Sequence, residues 1–174
     1  MRKQNRCPMP GPGVPALMIK TMFLFFALFF LTGTATAQEA EDEQPQLVQV
    51  VQSSKSFSET LTAFREEAGK AGWSILNENN MAGVLSERGF TLDPVVILDV
   101  CSGQYSARIL GKDDYRPISA FMPCRVSIYK TSDGKVFVAR MNTTAFVDMM
   151  PPEVAQVMSA SDQEVDEIIT RAVR

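Results

Sequence analysis

Cys124-Arg125-Val126-Ser127-Ile128-Tyr129-Lys130, followed by Ser132-Asp133-Gly134 and then Val136-Phe137-Val138-Ala139-Arg140-Met141, is the stretch on which the fold turns. Both runs alternate with period two, as strands with one buried face do. The Asp-Gly step between them suits a tight antiparallel turn. The stretch predicts a β-hairpin. Upstream, Pro94 leads into Val95-Val96-Ile97-Leu98-Asp99-Val100-Cys101, a nearly continuous apolar run of the kind found in interior strands.

Working outward from these strands, helical spacing takes over. Ser56-Phe57-Ser58-Glu59 fits a capping box, and Phe57, Leu61, Phe64 and Ala68 recur on one helical face until Gly69 and Gly72 end it. A strand over 47–51 precedes this helix and a weaker one over 73–77 follows it. A short helix over 81–88 closes at Gly89, and another over 103–110 offers Tyr105, Ile109 and Leu110 for packing. Residues 117–123 read as irregular. After the hairpin, Pro151-Pro152 opens a final helix running through Asp162 to Arg171, with Val165, Ile168, Ile169 and Ala172 on one face. The order β-α-β-α-β-α-β-β-α predicts an α+β fold, a mostly antiparallel sheet with helices packed on it in a single compact domain.

The amino terminus is of another kind. Residues 1–37 contain no Asp or Glu, carry Arg2, Lys3, Arg6 and Lys20, and run uncharged from Met22 to Leu31 before Ala35-Thr36-Ala37. This is the pattern of a signal peptide cleaved after Ala37. Ten apolar residues at ~1.5 Å each reach about 15 Å, half of a ~30 Å hydrocarbon core, which argues against an uncleaved anchor. Met18-Ile19-Lys20 supplies a second, more ordinary start to such a signal. Residues 38–46, with Glu39, Glu41, Asp42 and Glu43, form a flexible acidic tether, and 47–174 form the domain. The expected product is exported, periplasmic or secreted, with no stable membrane insertion.

Charge and composition then exclude several functions. Of 17 Lys and Arg, four lie in the leader, so the processed chain sets 13 against 20 acids, a net charge near −7. No cationic run remains to hold a phosphate backbone, so nucleic acid is not an expected partner. Histidine is absent from all 174 residues. That removes Ser-His-Asp and Cys-His nucleophiles and every imidazole-ligated metal. Phosphate-binding glycine loops and a Gly-x-Ser-x-Gly elbow are missing as well. No cofactor is predicted.

Two thiols survive processing, Cys101 and Cys124, each at a strand end bordering the same helix and loop. Three readings stand: a disulfide worth roughly 3 kcal/mol by loop closure, a pair of buried thiols, or a thiol site. For the last, Ser102-Gly103 places Cys101 at a helix start, where unpaired N–H groups favour a thiolate. Arg125 would add positive potential if it pointed inward, and Met122 with the two cysteines would suit a soft ion such as Cu(I). The other methionines of the processed chain are scattered and read as core filling. Because no catalytic constellation is complete, the leading expectation is a soluble, exported binding or interaction module rather than an enzyme, its partner an unknown small ligand or protein.

The Ser56-Phe57-Ser58-Glu59-Thr60 opening, Ala71-Gly72-Trp73, Ile97-Leu98-Asp99-Val100-Cys101 and Met122-Pro123-Cys124-Arg125-Val126, in this order and spacing, resemble the domain-of-unknown-function family 302. The resemblance spans about residues 47–173. It implies a compact α+β domain with a homodimer as its expected assembly, and it brings no established activity, substrate or catalytic residue. Where such proteins often carry Cys-Asn-Pro, this chain has Cys101-Ser102-Gly103.

Overall fold

A computed structural model describes residues 46–174. The leader, its cleavage after Ala37 and the tether up to residue 45 lie outside the described residues. The elements are β1 (Val48–Ser53), α1 (Phe57–Lys70), β2 (Ser74–Asn80), α2 (Met81–Ser86), β3 (Val95–Cys101), α3 (Gly103–Leu110), β4 (Cys124–Lys130), β5 (Val136–Met141) and α4 (Pro152–Val173), with 3-10 stretches at Asp113–Phe121 and Thr143–Met149.

The five strands form one sheet in the order β1-β5-β4-β3-β2, and every neighbouring pair is antiparallel. Alternation decides which side of the sheet is buried. Val96, Leu98 and Val100 of β3 point the same way as Val126 and Ile128 of β4 and Val136 and Val138 of β5. Against this side pack α1 and α4, which contribute Phe64, Ile168 and Ile169 to the principal core. On the other side Val48, Val50 and Met141 are exposed.

Local signals set the ends of α1. The Glu59 N–H donates to Ser56 Oγ at 3.4 Å and the Ser56 N–H donates to Glu59 Oε2 at 3.0 Å, closing the expected capping box. Ser56→Ala should therefore cost about 1 kcal/mol, read as a lower denaturant midpoint at unchanged slope. At the other end Gly72 takes φ 76, a left-handed conformation that glycine adopts without strain. It lets the Trp73 N–H reach back to the Ala68 carbonyl (2.9 Å) and the Gly72 N–H to that of Gly69 (3.0 Å). This is a Schellman turn, and it seats Trp73 in the core.

Some boundaries differ from the sequence expectation. β2 runs on through the polar Asn77-Glu78-Asn79-Asn80, because pairing with β3 outweighs weak strand propensity. A bulge between Ile75 and Asn77 leaves Leu76 exposed. In α3, Ile109 is buried but Leu110, expected to pack, is 37% exposed, since the short helix turns that position outward. The 3-10 turns of Asp113–Phe121 overlap the stretch 117–123 expected to be irregular.

The two ends of the domain meet. The Ser54 N–H donates to the Val173 carbonyl at 3.0 Å, and Lys55 Nζ donates to the Ala172 carbonyl at 2.7 Å. These contacts satisfy carbonyls that the last turn of α4 leaves free.

Candidate functional site

β3 and β4 bring the two cysteines together. Their ladder pairs Val100 with Cys124, so Cys101 lies one residue beyond that pair. Both thiols are half-buried and unbonded. Both border one cavity of about 20 Å³, closed off by Val157, Met158 and Ser161 of α4 and by Trp73 from the end of α1. A space of that size holds one atom or ion.

The surroundings of each thiol follow from its strand position. The Cys101 sulfur lies 3.0 Å from Ser106 Oγ, one turn into α3. Ser102, the residue before α3, is buried and also lines the cavity, although its hydroxyl makes no capping bond. Burial pushes the Cys124 thiol up from its ordinary value. The Asp162 carboxylate and Cys101 act in the same direction, and a Ser161 hydrogen bond and Arg140 oppose them. A raised thiol stays protonated at neutral pH, so in a Cys101→Ser background Cys124 should alkylate more slowly than an unburied cysteine. Its rate should climb only as pH passes the ordinary thiol value of 9.0.

Of the other residues singled out in the sequence, Met122 lines the cavity and Arg125 does not. Arg125 is next to Cys124 on an alternating strand, so its side chain goes to the opposite side of the sheet. There it is 72% exposed and pairs with Asp99 at 3.2 Å. It therefore gives the thiols no positive potential from inside the cavity. Sequence spacing missed Met158 and Trp73. Met158 is four residues before Asp162 on α4, and nothing local in the chain ties it to the cysteines. Trp73 Nε1 is a buried donor with no hydrogen-bond partner.

A polar cluster adjoins this region. Arg140, in phase with Val136 and Val138 on β5, faces α4 and is 5% exposed. Its guanidinium grips Asp162 through two bonds, Nη1 to Oδ1 at 2.6 Å and Nη2 to Oδ2 at 3.1 Å, and reaches Asp166 through Nε at 3.0 Å. The Thr143 N–H and hydroxyl donate to Asp162 Oδ1 at 3.1 and 2.7 Å. Sequence periodicity contained the signal, an arginine at a core-facing strand position. Among the described residues, no three or more cysteines and carboxylates gather as a metal cluster, and no helix is long and apolar enough to cross a membrane.

The molecule is thus an α+β domain with one helix-covered side of an antiparallel sheet and a cysteine-bordered cavity at one end of it. The model of the family "Domain of unknown function DUF302" matches residues 49–173, and the chain belongs to that family. A crystal structure of an uncharacterized conserved DUF302 protein from Bacillus stearothermophilus is similar in fold, with a TM-score of 0.67 and 24% identity. The match covers 74% of this chain and 99% of that one. No curated protein matches.

Proposed function

We propose that this protein is an exported binding module that pairs with a second copy of itself through the open side of its sheet. The observation that carries this reading is the uncovered apolar surface there. Val48 and Val50 of β1 are 51% and 50% exposed and lie beside Met141 and Ala139 of β5, with Ile97 farther across on β3. Tyr129 and Phe137 stack at 5.6 Å on the same side. Five strands about 4.8 Å apart and some 20 Å long present roughly 500 Å². Two such surfaces face to face would remove about 1,000 Å² from water, the least expected of a biological interface and short of the ~1,200 Å² at which stable pairings begin. The Asp99–Arg125 pair suits a twofold arrangement, because each arginine can meet either carboxylate.

Sedimentation velocity tests this pairing. The wild-type domain should sediment as a dimer, and Val50→Lys, an exposed substitution, should give a folded monomer. A wild type that stays monomeric up to its solubility limit overturns the pairing. Export rests on the leader pattern, and amino-terminal sequencing of the periplasmic product should begin at Gln38.

A second reading, a thiol site, is favoured by the convergence of Cys101 and Cys124 on one cavity. Redox exchange and soft-ion binding are its two forms.

A further inference from the structure

We infer that the cavity between β3, α3 and α4 binds one cuprous ion through the thiolates of Cys101 and Cys124, with the thioethers of Met122 and Met158 completing its shell. The inference rests on the thiol-site reading and is independent of pairing through the sheet. Four sulfur-bearing side chains border a space of about 20 Å³, large enough for an ion and too small for an organic ligand. The lining carries no carboxylate and, in a chain without histidine, no imidazole. Thiolate and thioether donors select soft monovalent copper over harder divalent cations.

Binding is a ligand exchange without electron transfer: two thiols release two protons to solvent, two sulfur–copper bonds form, and the centre carries one negative charge. Trp73 lines the same cavity, and its indole N–H is a buried donor without a hydrogen-bond partner. Met158 is buried on α4 and Met122 precedes β4, so the thioethers approach from two elements that the core holds fixed.

The test uses the exported protein, reduced under anaerobic conditions and titrated with Cu(I) against a chromophoric Cu(I) chelator. One equivalent should bind and quench the fluorescence of the single tryptophan, and X-ray absorption should report a sulfur-only shell. Cys101→Ser and Cys124→Ser should each weaken binding by about 100-fold or more. Met158→Leu and Met122→Leu should each weaken it by about 10-fold while leaving the melting temperature nearly unchanged, and Met149→Leu on the surface should have no effect. Failure to compete with the chelator, in protein whose two thiols both react with a disulfide reagent after unfolding and at least one of them when folded, overturns the copper site alone. Protein isolated with the two cysteines disulfide-bonded, and binding no copper after reduction, overturns the thiol-site reading with it.

Discussion

Asp162→Ala should destabilise the domain by about 3–5 kcal/mol and lower its melting temperature by about 10 °C or more. The size of the effect comes from what the substitution strands. Arg140 is almost fully enclosed between β5 and α4, and its charge was taken out of water on the condition that Asp162 meet it with two bonds. Removing that carboxylate also orphans the Thr143 N–H and hydroxyl. Asp166 still reaches the guanidinium, but it is 49% exposed and replaces only part of the lost interaction, which places the effect toward the lower end of the range. A double variant, Arg140→Met with Asp162→Leu, should recover most of the loss, because two apolar side chains leave no buried charge behind. Urea denaturation of wild type, Arg140→Met, Asp162→Leu and the double variant forms the cycle. A single variant within about 0.5 kcal/mol of wild type would mean that water reaches Arg140 freely.

Phe64→Ala should cost a similar 3–5 kcal/mol by another route. Phe64 is 1% exposed, projects from the middle of α1 and fills space against the sheet and α4. Truncation removes aromatic surface from the core and leaves a cavity that two helices held at both ends cannot collapse into. Phe57, one helical face-repeat away and only partly buried, is the internal control, and Phe57→Ala should cost well under half as much. Equal losses at the two positions would show that α1 itself, rather than its packing, had failed.

How much of this was legible in the chain varies by residue. The hairpin was plain, because Asp133-Gly134 fixes the turn and Gly134 adopts φ 87. The capping box and the Phe64 face were equally local. The antiparallel character followed from the closing hairpin, but the pairing of β1 with β5 is a contact across some ninety residues that no short pattern encodes. The site divides in the same way. Cys101, Cys124, Met122 and Ser102 lie at strand ends that the sequence marks, and the structure gathers them. Arg125 went the other way because neighbours on a strand face opposite sides, and adjacency to Cys124 was the wrong guide. Met158 and Trp73 join through α4 and the Schellman turn, and only tertiary packing decides that.

The bond between the first strand's exit and the last helix's carbonyls has a consequence in time. On a ribosome the chain appears from its amino terminus, so β1 is made long before β5 exists to pair with it, and Ser54 and Lys55 wait for Val173 and Ala172. Helices α1 and α3 can flicker locally, but the sheet's far edge requires β5 and the bonds from Ser54 and Lys55 require the end of α4. Closure is therefore a late, non-local and comparatively slow step.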